Sequence, residues 1–157
     1  MATPVSNPNA LKALLILHKA MLAGQVIFGA IAFFLVYSGS FYQGAHQAGE
    51  ILQVVAIILA AGGFYAGNFL FKRKVTQIRE MKAGAKEKFE LYRRACMLQW
   101  ILIEGPCLFV IISFLLTGNY AFLGLAGVLM LLFAMLAPSK VKMVFYLQLS
   151  EKEIDEL

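Results

Sequence analysis

The sequence contains few of the residues that build soluble active sites and disulfide frameworks. Its 157 residues include two cysteines, two histidines, four prolines and one tryptophan, and only 15% of the chain is charged. Cys96 and Cys107 lie about three turns apart on one predicted helix, whereas disulfide-bonded Cα atoms lie within about 7 Å of each other. The sequence has no Cys-x-x-Cys pair and no metal-ligand spacing. We therefore interpret both cysteines as packing residues and expect no disulfide, metal or cofactor.

Lysine and arginine are missing from several long apolar runs, and these runs set the fold class. Hydrophobic residues make up 61% of the chain, against about 45–50% in soluble domains. A transmembrane helix needs about 20 apolar residues. The pattern predicts an all-α, polytopic membrane protein, a four-transmembrane-helix bundle forming a single domain over residues 1–157. The spans are expected at about 20–38, 51–71, 95–117 and 120–137.

The basic residues cluster between the runs and predict the orientation. Residues 72–94 hold nine of the fourteen Lys and Arg residues, and the predicted outer loops hold none. By the positive-inside rule both termini are cytoplasmic, and we expect a multi-pass protein of the bacterial inner membrane. Residues 1–9 lack the basic region of a signal peptide, so the first helix is expected to be uncleaved.

The basic segment 72–94 keeps helical spacing of its apolar residues, which predicts a cytoplasmic helical hairpin extension between helices 2 and 3, reversing at Ala83–Ala85. Two roles are open for this basic stalk, which are binding a cytoplasmic partner and contacting anionic lipid headgroups. Nucleic acid is not expected as a partner. Residues 139–157 are expected to form a cytoplasmic amphipathic tail, with a membrane-surface helix and then a capping box at Ser150. The headgroup-binding candidates are Lys72, Arg73, Lys74, Arg93 and Arg94.

A carboxylic acid stands in the middle of the third apolar run. Glu104 is followed by Gly105 and Pro106, and an ionised carboxylate at such depth costs roughly 2.5 kcal/mol or more. Pro106 has no N–H, so the carbonyl of Leu102 loses its partner and a kink is expected. Trp100 is expected to anchor the cytoplasmic end of this span at the membrane interface.

A weak internal repeat suggests a partner for this acid. Gln25 precedes Ser38-Gly39 by the same spacing with which Glu104 precedes Thr117-Gly118. The repeat predicts similar depths for Gln25 and Glu104 and makes Gln25 the first candidate partner, followed by Tyr65 and Asn68. Small-residue spacing, which allows helices to approach closely, marks the helix-packing candidates Gly63, Gly67, Gly124 and Gly127.

The segment Glu104-Gly105-Pro106-Cys107-Leu108-Phe109 after a basic loop resembles the carboxylate-bearing helix of rotary ATPase proteolipid subunits, in which an intramembrane acid carries the ion. The resemblance covers one helix of four, and no Gly-rich packing helix precedes it. The whole chain resembles small four-helix bacterial inner-membrane proteins of a family without an assigned activity. It is similar in size to four-helix glutathione-using membrane enzymes but lacks their Arg- and Asn-rich motif.

Two functions follow as expectations. The absence of a catalytic constellation, together with the small-residue faces and the basic stalk, favours a non-enzymatic accessory or assembly subunit of a larger inner-membrane complex. The alternative is a small oligomeric transporter or proton-coupled channel in which Glu104 exchanges a proton. The expected partners are accordingly the lipid bilayer and either another membrane protein or further copies of this chain.

Overall fold

A computed structural model describes residues 10–40 and 49–149 of the chain. The lead-in before residue 10, most of the predicted first outer loop and the capping box at Ser150 lie outside these ranges. The described residues form five helices: α1 (Ala10–Tyr37), α2 (Gly49–Glu80), α3 (Ala85–Thr117), α4 (Tyr120–Met135) and α5 (Lys140–Leu147).

The helices are long and apolar enough for a membrane protein with three to four candidate spans. α1, α2 and α3 each meet the length and hydropathy needed to cross a bilayer. α4 has 16 residues and reaches that length only together with α5, from which it is bent by 69°. The number of spans thus depends on whether the bent pair of helices forms one crossing.

The helix ends differ from the ends of the apolar runs. α1 begins at Ala10, about ten residues before the span expected at about 20–38, and α2 continues through the basic residues to Glu80. A helix satisfies its backbone internally, so it can extend beyond the apolar run that predicts a span. α4 ends at Met135 because Leu136 leaves the helical conformation and Pro138 follows, whose ring cannot donate a backbone hydrogen bond.

α3 is the central helix of the structure. It packs against α1, α2 and α4, whereas α1 and α2 share few close contacts with each other. In their most apolar stretches, 44% of α3 is buried, compared with 22% of α1 and of α2. α1 and α2 therefore flank α3 on two sides and leave part of its surface open between them.

Two apolar clusters fill the interior along α3. The cluster near its N-terminal half includes Tyr92, Trp100 and Phe133. The cluster near its C-terminal half includes Ile111, Phe114 and Phe122. All six of these side chains are at most 1% exposed, so large side chains occupy the centre of the bundle at both levels.

α5 packs against the bundle with one face. Ser139 caps its first turn by accepting a hydrogen bond from the Lys142 amide at 3.2 Å. Met143 and Leu147 are fully buried in the cluster that also holds residues of α2 and α3, whereas Val141 is 79% exposed. Part of its apolar surface is therefore covered by the bundle, and its placement on the membrane surface stays a prediction.

Candidate functional site

Glu104 lies at the edge of the buried face of α3. Its neighbour Ile103 is fully buried, Glu104 itself is half-buried, and Gly105 is exposed with no atom within 4 Å of the place where a Cβ would stand. Ile101 and Ile112, which are 57% and 44% exposed, continue this open strip of α3 in both directions. Glu104 makes no hydrogen bond or ion pair with the described residues. The carboxyl group therefore sits on the flank of the bundle and not in its centre.

The expected hydrogen bond between Gln25 and Glu104 is not formed. Gln25 is 1% exposed, and neither amide atom of its side chain has a hydrogen-bond partner in the described part of the chain. The register of α1 on α3 explains why. His18 contacts Trp100, and a Cβ on Gly29 would contact Ile111. The two residues of each pair are separated by the same number of positions in the sequence. That offset places Gln25 level with Cys107, almost one turn beyond Glu104.

The Leu102 carbonyl, which receives no hydrogen bond from Pro106, lies against α2. A Cβ built on Gly63 would collide with the carbonyl oxygen of Leu102 and would lie 2.8 Å from Cγ of Pro106. Side chains two positions apart on a helix point about 200° apart, so Glu104 faces away from the α2 side on which Leu102 lies. The released carbonyl and the carboxyl group thus lie on different sides of α3 and do not form one site. Pro106 itself is contained within the continuous helix α3.

The two further polar candidates belong to other surroundings. Tyr65 is 74% exposed and stacks on Phe69 with ring centroids 6.4 Å apart. Asn68 donates to the Phe64 carbonyl at 2.9 Å and accepts from Gln99 at 3.0 Å, which links α2 to α3. Neither residue is joined to Glu104 by a hydrogen bond.

The four candidate packing glycines divide into two pairs. Gly63 and Gly67 lie against α3, where a Cβ on Gly67 would stand 3.3 Å from the Gln99 carbonyl oxygen. Gly124 and Gly127 of α4 are exposed, and a Cβ at either would have no atom within 4 Å among the described residues. The first pair allows α2 to pack closely against α3. The second pair forms a surface of small residues that no described residue covers.

Trp100 and His18 occupy a buried aromatic cluster that the sequence did not indicate. Trp100 was expected at the membrane interface, but it is fully buried, and its ring packs edge-on to His18 at 4.9 Å. His18 also stacks on Phe133 at 4.7 Å, and its Nε2 lies 3.0 Å from the Phe133 carbonyl oxygen. The only signal for this cluster in the sequence is the apolar surroundings of each ring.

Within residues 10–40 and 49–149, no three His, Cys, Asp or Glu side chains are grouped so as to hold a metal ion.

A polar cavity lies at the basic end of the bundle, where the apolar run of α2 gives way to Lys72. Its volume is about 70 Å³, and its lining comes from α2, α3, the end of α4, and α5. The residues that line it are Asn68, Phe71, Lys72, Tyr92, Cys96, Gln99, Leu136, Lys142 and Tyr146. Of these, only Lys72 and Asn68 were candidates from the sequence, because the other polar residues are brought together by packing between helices.

The remaining basic candidates lie on the surface. Arg73, Lys74 and Arg94 are exposed, and Arg93 pairs with Glu90 at 3.2 Å on the same helix. An exposed pair of this kind contributes little to stability. These side chains are available to a charged partner, whereas Lys72 is the one that also lines the cavity.

Comparison with known proteins adds no relative to this picture. The chain matches no protein-family model, no curated protein and no solved structure.

Proposed function

We propose that this chain is a non-enzymatic subunit of a larger complex in the bacterial inner membrane, and that Glu104 contacts the partner protein. The single observation that carries the proposal is the position of Glu104, half-buried on the flank of α3 with no polar partner among the described residues. A carboxyl group in an apolar surface is costly unless another protein supplies a hydrogen bond.

The surface around Glu104 suits such a contact. The exposed strip of Ile101, Gly105 and Ile112 lies on α3 between two helices that share few contacts, so neither helix covers it. Gly105 has no side chain, which lets a helix of the partner approach the backbone closely. The partner we propose is a transmembrane helix that carries a hydrogen-bonding side chain opposite Glu104.

The membrane setting follows from the charge distribution. We propose four crossings in a four-helix bundle with both termini in the cytoplasm and a cytoplasmic helical hairpin formed by the ends of α2 and α3. This arrangement places every Lys and Arg on the cytoplasmic side, in agreement with the positive-inside rule.

The test is extraction in a mild detergent followed by native mass spectrometry. We expect a second membrane protein in fixed stoichiometry with the wild-type chain. Glu104→Leu should lose this partner, whereas Glu104→Gln, which keeps a donor and an acceptor, should retain much of it. Leu131→Ile, an apolar change at an exposed position of α4 outside this strip, is the control and should bind the partner as the wild type does.

A monomer in all samples would contradict the proposal. A homo-oligomer would instead support the alternative of a proton-coupled channel, in which several copies bring their Glu104 side chains together. In that case proton flux into reconstituted vesicles should fall in Glu104→Gln. Unchanged flux in a natively folded variant would exclude that alternative.

A further inference from the structure

The cavity at the basic end has cationic walls and a polar floor. Together with an adjoining groove of about 360 Å³, lined by Lys72, Val75, Thr76, Arg79, Phe145 and Tyr146, it presents three cationic side chains. No Asp or Glu lines either space among the described residues. Lys72 and Arg79 form no ion pair within the part of the chain that the structure describes. The electrostatic balance of this region therefore favours an anion.

The buried residues that line the cavity are held in place by their neighbours. Gln99 is 4% exposed and is held by its hydrogen bond to Asn68. Tyr92 is 1% exposed, and the rings of Tyr92 and Tyr146 pack edge-on to Phe71 at 6.0 and 5.4 Å. A polar cavity with fixed walls can bind a ligand without first ordering its own side chains.

Lys142 is fixed at the mouth of the cavity with donor capacity remaining. Its ammonium group donates to the carbonyl oxygens of Met135 at 3.0 Å and Ala137 at 2.8 Å, at the bend after α4. An ammonium group has three donors, so one is left for a ligand. The basic end thus presents one positioned ammonium group from α5 and a second, from Lys72, on α2.

The size and location of the cavity suit a phosphate group at the membrane boundary. A water molecule needs roughly 10–15 Å³ of such volume, so about 70 Å³ has room for about five to seven groups of that size, which is enough for a phosphate. The cavity lies at the boundary between the apolar part of α2, which ends at Phe71, and the basic Lys72. The adjoining groove combines Arg79 with the 70% exposed ring of Phe145. An amphiphile fits this boundary, because its phosphate meets the cations while its acyl chains run along the apolar part of α2 that ends at Phe71.

We infer that the cavity binds the phosphate of an anionic membrane lipid, with Lys72 and Lys142 as its charged contacts and the Tyr146 hydroxyl as a neutral one. Charge-assisted hydrogen bonds to phosphate are among the stronger polar contacts in proteins. The site is specific in position, unlike a diffuse attraction of the basic segment to the membrane surface. The inference does not depend on the role of Glu104.

The experiment compares two neighbouring charges on α2. The full-length protein is titrated with phosphatidylglycerol or phosphatidylcholine in detergent, and bound lipid is counted by native mass spectrometry. We expect preference for phosphatidylglycerol, a roughly tenfold weaker affinity in Lys72→Gln, and less than a twofold change in Arg73→Gln. Both variants lose one charge at adjacent positions, but only Lys72 lines the cavity. Equal losses in the two variants would overturn the inference in favour of a diffuse surface effect.

Further measurements identify the source of the phosphate. They also test the site with a mild variant and with the wild-type chain, so that misfolding of a variant cannot decide the result. Inorganic phosphate at millimolar concentration should not displace the lipid, and displacement would assign the cavity to a soluble phosphate and overturn the lipid assignment. Tyr146→Phe removes only a hydroxyl and should weaken lipid binding by a few-fold. In the wild-type chain, a headgroup-labelled photoreactive lipid should crosslink within residues 68–79 or 142–146, and crosslinks confined to other segments would contradict the site.

Discussion

The close approach of α2 to α3 predicts that Gly63→Ala destabilises the fold while Gly62→Ala does not. A Cβ at Gly63 would overlap the carbonyl oxygen of Leu102, which is backbone and cannot rotate away. A Cβ at Gly62 would have no atom within 4 Å, and the residue is exposed. The two substitutions are identical in chemistry and adjacent on one helix, so the neighbour on α3 is the main difference between them.

The expected change in the free energy of unfolding is the difference between two opposing contributions. A carbon atom normally stays at least about 3.3 Å from a carbonyl oxygen, so α2 and α3 must separate by about 1 Å around Gly63. A gap of this size forfeits part of the dispersion contacts along the interface, and overpacking typically costs about 1–3 kcal/mol. Replacing glycine by alanine in a helix returns up to about 1 kcal/mol. We expect Gly63→Ala to lose about 1–2 kcal/mol and Gly62→Ala to change by 0 to about 1 kcal/mol in the stabilising direction.

The assay is unfolding by sodium dodecyl sulfate in mixed bicelles, followed by tryptophan fluorescence. The single tryptophan of the chain, Trp100, is fully buried between helices and reports loss of the core. Equal unfolding midpoints for Gly63→Ala and Gly62→Ala would refute the reasoning, because they would mean that α2 does not approach α3 as closely as the structure describes.

Three further predictions use the same assay. Gly118 ends α3 with φ of 67°, so Gly118→Ala should cost about 1 kcal/mol, whereas Gly124→Ala, within a helix and facing open space, should cost nothing. Gln99→Leu should cost about 1–3 kcal/mol because it leaves the side-chain oxygen of Asn68 unpaired, and adding Asn68→Leu should recover part of the loss. His18→Leu should shift the tryptophan emission and lower stability, because the imidazole contacts the indole ring directly; unchanged emission would contradict the described stacking.

The membrane class and the helical content could be predicted from the sequence because they depend on local composition. Long runs without charge predict helices that can cross a bilayer, and three of the helices meet that condition. Composition alone does not locate the ends of the helices, and the continuation of α2 beyond its apolar run is predicted instead by the helical spacing of apolar residues in 72–94. Composition changes at Phe71, but the backbone of α2 continues to Glu80 because a helix needs no apolar environment to remain hydrogen-bonded.

The repeat that relates Ser38-Gly39 to Thr117-Gly118 has a local explanation. Gly39 and Gly118 have φ angles of 66° and 67°, and each follows the end of a helix. A glycine in the left-handed region is a common way to end a helix, so the repeated dipeptide reflects two similar helix ends. The repeat therefore does not fix the register of α1 against α3, and Gln25 came to lie level with Cys107.

The polar groups that lie together could not be predicted because their proximity depends on packing between helices. Asn68 and Gln99 are each single polar residues in apolar runs, and nothing in their spacing indicates that they meet. Lys142 follows a bend of 69°, and that bend carries it to the cavity on α2 and α3. A sequence pattern reports the face of one helix, whereas a cavity needs the relative positions of four segments.

The filled interior limits what Glu104 can do in a single chain. Ile103, Val110 and Ile111 are fully buried on the inner face of α3, so large side chains occupy the space a conducting path would need. Glu104 lies at the edge of that face, and its carboxyl group can meet a polar group only from outside the described bundle. In both proposed functions, that polar group comes from a second protein molecule beside α3. The partner's identity, a different subunit or another copy of this chain, decides between the two functions.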